Sequence, residues 1–206
     1  MDRPEIGYMT LINTIASSLR DSLLKTGTVS IALSGGSSPV ALYEGLSSID
    51  LNWARIQVTL IDDRLVPADH DDSNQKLVRK TLLRGKARMA QFIRLQDWQE
   101  DHFPDIAILG MGTDGHFASL FPAMMGDAMA FDPAADPAIL TTAPMGNPPH
   151  ARITMNLSMI LAIPNRVLMV VGDEKKAILS AALNGTDLPI TRLLSHDGTQ
   201  ISHERI

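Results

Sequence analysis

The sequence predicts an α/β fold with three layers: a mostly parallel sheet with helices on both faces. Two observations predict it. Short runs of apolar and β-branched residues alternate along the chain with helix-period segments. Three of those runs end in polar or glycine-rich loops, Ser34–Ser38, Asp62–Arg64 and Gly110–His116, where open α/β sheets hold their ligands.

The elements follow in order. Residues 9–24 put Leu11, Ile12, Ile15, Ala16, Leu19 and Leu23 at helical spacing, and Lys25-Thr26-Gly27 closes that helix. TVSIALS reads as a strand. SGGSSP turns the chain into a helix whose first turn tolerates Pro39. Residues 56–61 form a second strand running into Asp62-Asp63-Arg64. Ser73 is placed to cap a helix bearing Leu77, Val78, Thr81 and Leu82. Residues 105–109 give a third strand, which enters GMGTDGH. Further strands are expected at Ile139–Thr142, Arg152–Met155 and Arg166–Val171, with helices at Asp173–Leu183 and Pro189–Leu194. Residues 122–150 carry six prolines and little periodicity, which predicts a long surface connection or a lid.

Size and composition bound the function. The 206 residues fit one domain, 1–206. With no cysteine, disulfides, thiol nucleophiles and cysteine-ligated metals are excluded. A net charge of −5 argues against nucleic acid as a partner but not against a small anion, because local charge can oppose the total. The N-terminal MDRPEIGYMT lacks the apolar run of a signal peptide, and the longest apolar stretch, Val167–Val171, is strand-sized. The expectation is a cytoplasmic protein, not membrane-bound.

The loops carry the chemistry. In SGGSSP, the glycines let backbone approach a ligand and the following helix offers free N–H groups. Ser34, Gly35, Gly36 and Ser37 therefore read as a phosphate cradle, against the plainer reading of a capped tight turn. GMGTDG matches GxGxxG only formally, since it lies mid-chain and no good crossover helix follows. In Asp114-Gly115-His116, a carboxylate two residues from an imidazole can orient it as a proton acceptor near neutral pH. Asp62-Asp63-Arg64 offers acids and an anion clamp, or a solvated ion-paired loop. Asp69-His70-Asp71-Asp72 reads as solvated, and without dense ligand spacing no required metal or cofactor is expected. Arg152 and Lys175 are basic residues at element starts, and Lys175 runs against the usual helix-dipole preference.

Taken in order, SGGSSP, DDRLVPADHDDSN, GMGTDGHFASLFP, ARITMN and VVGDEKKAIL resemble the 6-phosphogluconolactonases, over residues from about 30 to 194. That resemblance implies a Rossmann-like fold similar to glucosamine-6-phosphate deaminase. It implies hydrolysis of 6-phospho-D-glucono-1,5-lactone, a step of the oxidative pentose phosphate pathway, by a monomer or weak dimer. His116 then matches the general base that activates water, and Asp114 its adjacent acid. Asp62 matches the acid that acts as a base in the deaminases. Ser34–Ser37, Arg64, Arg152 and Lys175 match the phosphate and substrate positions. The alternatives are a deaminase-like sugar-phosphate enzyme and a non-catalytic sugar-phosphate binder. Deaminases continue their GxDGH loop towards a glutamate whose place Phe121 takes here. Departures from the family pattern are Asp63 for glutamate, Phe117 for threonine (which would reshape the pocket floor), a short 83–105 segment expected to lack a helix, and an unmatched tail after Leu194.

Overall fold

The computed structural model describes residues 8–202. MDRPEIG and the last four residues are not among them, so the expectation about the N-terminal leader lies outside the described residues. Helix α1 (Tyr8–Thr26) precedes β1 (Val29–Leu33), α2 (Val40–Leu46) and β2 (Ile56–Leu60). Next come β3 (Asp62–Arg64), α3 (Asn74–Thr81), β4 (Gln91–Phe92) and β5 (Ile106–Gly110). Then follow α4 (Ala128–Phe131), β6 (Ile139–Met145), β7 (His150–Met155) and α5 (Leu157–Ala162). The described chain ends with β8 (Asn165–Met169), α6 (Asp173–Leu183), α7 (Pro189–Leu194) and β9 (Thr199–Ser202).

The main sheet has the order β4-β2-β1-β5-β8-β9, and every pair in it is parallel. The chain winds outward from β1 to β4, then restarts at β5 and winds the other way. Right-handed crossovers then put the two halves' helices on opposite faces. Accordingly α1 packs on α2 and α2 on α3, while α6 packs on α7. The five residues of β1 are all buried, as befits a central strand covered on both sides. The reversal between β1 and β5 opens a crevice at their carboxyl ends.

Three sequence expectations need correction. Asp62–Arg64 is a strand, not a strand end: with β7 and β6 it forms a second sheet, ordered β3-β7-β6 and antiparallel. The signal is three polar residues, too short for periodicity to register. Phe117 does not floor a pocket. It is fully buried and meets Phe131 edge-on, ring centroids 6.4 Å apart. The unmatched tail supplies β9, paired to β8 and held by the buried Arg166, whose guanidinium donates to the Leu161, Ile163 and Asp197 carbonyls and to Thr199 Oγ1. The short 83–105 segment contains only 3-10 turns at Gly85–Met89 and Leu95–Asp97 besides β4, with no α-helix. The proline-rich 122–150 segment is not structureless: it holds α4 and β6, and its end rims the crevice.

Candidate active site

Beyond the carboxyl ends of β1 and β5, and walled by β3 and β7, lies a pocket of about 250 Å³. It brings together Ser34, Gly35, Gly36, Ser37, Asp62, Arg64, His116, Arg152 and Lys175. Of the sequence-predicted residues only Asp114 stands behind the lining, and it does so in contact with His116.

The β5 loop presents the imidazole. His116 Nδ1 lies 2.5 Å from Asp114 Oδ1, and the same oxygen accepts the His116 backbone N–H at 3.2 Å. The hydrogen bond from His116 is the main influence holding the Asp114 carboxyl below the usual carboxylate range. With Nδ1 engaged, Nε2 is the nitrogen left for chemistry. Gly112 makes room: a Cβ there would fall 2.2 Å from His116 Cε1. The Phe121 ring also packs against the imidazole, centroids 4.6 Å apart and planes tilted by 37°.

The β1 loop forms another wall of the pocket. Gly36 has φ +88°, open to glycine but strained for other residues. Gly35 has no room for a side chain, since a Cβ would fall 1.8 Å from Asn74 Oδ1. Ser34 Oγ is buried without a hydrogen-bond partner, while the Ser34 carbonyl accepts from Tyr43 Oη at 2.8 Å. Lys175, from the first turn of α6, donates to Ser38 Oγ at 3.3 Å. Burial is the main influence pushing the Lys175 ammonium below its ordinary pKa, with Glu174 opposing.

Strand alternation sorts the Asp62–Arg64 triplet. Asp62 and Arg64 face the pocket. Asp62 is buried and accepts from Ser119 Oγ at 2.6 Å. Asp63 faces away and is structural: its carboxylate accepts backbone N–H groups of Arg64, Asn74 and Gln75 at the start of α3. Burial still raises its pKa despite those bonds. Arg64 Nη1 donates to the Asp72 carbonyl at 2.7 Å and to Asn74 Oδ1 at 3.3 Å, but its Nε is buried without a partner. Arg64 and Arg152 are directly opposed across β3 and β7. Arg152 is 4% exposed, and its pKa is lowered by burial first and by Arg64 second. Two opposed guanidinium groups repel; Asp62, Asp63 and Asp72 offset part of that charge, and Arg152 donates to the Met145 and Pro148 carbonyls.

Sequence reading missed Asn74, Phe121 and the Gly146-Asn147 rim. Asn74 follows the Ser73 cap and looked like helix; Phe121 was weighed only as a missing glutamate. Gly146 and Asn147 reach the pocket from the far end of the 122–150 segment, which no local motif marks.

The family model for Glucosamine-6-phosphate isomerases/6-phosphogluconolactonase matches residues 4–103 and 86–202. The chain belongs to this family. Its similarity to curated members is spread along the chain. A 6-phosphogluconolactonase of Pseudomonas aeruginosa is 41% identical over 187 residues, 82% of this chain and 77% of that protein. One of Neisseria meningitidis is 36% identical over 208 residues, covering 92% and 90%. Among solved family structures, a 6-phosphogluconolactonase from Shewanella baltica superposes with a TM-score of 0.84 at 33% identity, covering 95% of this chain and 92% of that one. One from Thermotoga maritima gives 0.81 at 25% identity, with coverage of 97% and 96%.

Proposed function

We propose that the chain hydrolyses 6-phospho-D-glucono-1,5-lactone to 6-phosphogluconate, the oxidative pentose phosphate step, with His116 as the base. The observation that carries this is the pairing, within one pocket, of an Asp114-held imidazole with a cationic anion site. A lactone is an activated ester, so one positioned base suffices to begin the reaction.

In this reading the phosphate sits against the Ser34–Ser37 loop, with Lys175 and Arg152 supplying charge. His116 Nε2 takes a proton from water as its oxygen attacks C1. Arg64 and loop N–H groups steady the oxyanion. The C1–O5 bond then breaks, and the imidazolium returns its proton to O5. Asp62, fixed by Ser119, supports the pocket wall beside the sugar. No metal or organic cofactor enters the scheme. The Phe121 ring against His116 disfavours deaminase chemistry, because it puts an apolar face where that reaction needs a carboxylate.

We also propose a cytoplasmic monomer or weak dimer, free of membrane and nucleic acid. Among the described residues no helix is long and apolar enough to cross a membrane. The functional test generates the lactone in situ and couples product to 6-phosphogluconate dehydrogenase. The expected result is turnover well above spontaneous hydrolysis and no ammonia from glucosamine 6-phosphate. Turnover at background, or ammonia release, overturns the reading.

A further inference from the structure

Beside the pocket, and outside the lactone chemistry, three side chains from two distant segments of the chain converge. His150 Nε2 lies 2.8 Å from Asp72 Oδ2, and His70 Nδ1 lies 3.7 Å from the same oxygen. The His70 and His150 rings meet edge-on, centroids 5.7 Å apart. One ligand atom from each of the three lies within 4.8 Å of the others. Their side chains are 26–43% exposed, so solvent has access.

We infer that His70, Asp72 and His150 form a binding site for one divalent cation of the zinc class. Two imidazoles and a carboxylate are the donors that borderline ions prefer, whereas calcium and magnesium favour all-oxygen shells. Tetrahedral ligands at Zn–N and Zn–O distances of ~2.0–2.1 Å lie about 3.3 Å apart. The two separations to Asp72 Oδ2, 2.8 and 3.7 Å, bracket that spacing. His70 Nδ1 also accepts the Asp72 N–H at 3.1 Å, a bond that must open to turn its lone pair to the ion. Water completes the shell from the exposed side.

The site has a place in the fold. Asp72 lies in the loop before α3, and its carbonyl holds Arg64 Nη1. His150 opens β7, two residues before Arg152. A cation here ties together the segments that carry both pocket arginines. The sequence separation of 78 between Asp72 and His150 explains why spacing in the sequence did not reveal it.

The competing account is a hydrogen-bonded histidine–carboxylate cluster with no affinity for metal. The test is calorimetric titration of the tag-free, chelator-treated full chain with Zn²⁺ at about pH 7.5, where imidazole is neutral. The expected result is saturable binding in which His70→Ala and His150→Ala each abolish one equivalent, or weaken it at least ~10-fold. That equivalent should persist in His116→Ala, and circular dichroism should show all three variants folded. Three results would overturn the inference: no saturable binding, binding indifferent to both His70→Ala and His150→Ala, or an equivalent lost only in His116→Ala. The last places the ion on the pocket imidazole.

Discussion

Lys175 shows how burial and chemistry meet at one residue. Its ammonium is partly withdrawn from water and so loses its proton more readily than a free lysine, near ~10.4. In the proposed binding mode it holds phosphate while charged, below its folded pKa, and loses that hold when neutral, above it. Affinity for 6-phosphogluconate should therefore fall with rising pH earlier than a solvated lysine would allow. Lys175→Arg, charged throughout, should remove that alkaline limb. Calorimetry across pH reads both, and a limb that survives in Lys175→Arg would show that another group is titrating. At this scale the sequence was most informative. Ser34–Ser37 follow β1, His116 lies in the loop after β5, and Asp62 and Arg64 come directly after β2 in the chain, where local pattern and chemistry coincide. Asn74 and Phe121 were not legible, because their roles lie in what they touch: Gly35 and Arg64 in one case, His116 in the other.

At the scale of elements, the start of α3 is a junction between fold and site. Ser73 Oγ accepts the Lys76 N–H at 3.3 Å, the cap that the sequence predicted, and donates to Asp63. Asp63 draws the same helix end onto β3, which sets Asn74 between Gly35 and Arg64. Ser73→Ala should cost about 1 kcal/mol in urea unfolding. It should also raise KM more than it lowers kcat, because the loss falls on the anion side of the pocket. An unchanged KM would separate the cap from the site. Helices α6 and α7 match their predicted bounds, since caps and proline mark them locally. Strand β3 and the antiparallel sheet escaped because pairing between residues 62–64 and 152–154 is a tertiary fact.

Across the whole molecule, the reversal of winding between β1 and β5 places the Ser34–Ser37 loop and the imidazole loop side by side. The parallel sheet was legible from strand–helix alternation; the second sheet and β9 were not. Phe117, where a pocket residue was expected, belongs to the core. Phe117→Ala should cost about 3–5 kcal/mol in stability, and the variant should still unfold in one cooperative transition if the chain is a single unit, as we propose. Its activity per folded molecule should change little; a kcat collapse without a stability loss would return Phe117 to the site. The central claim is that His116 activates water on the lactone. It is tested most directly by the rate of lactone hydrolysis above the no-enzyme background in His116→Ala. The predicted result is a loss of about 10²–10⁴-fold in kcat with circular dichroism unchanged, and wild-type turnover in that variant would contradict it.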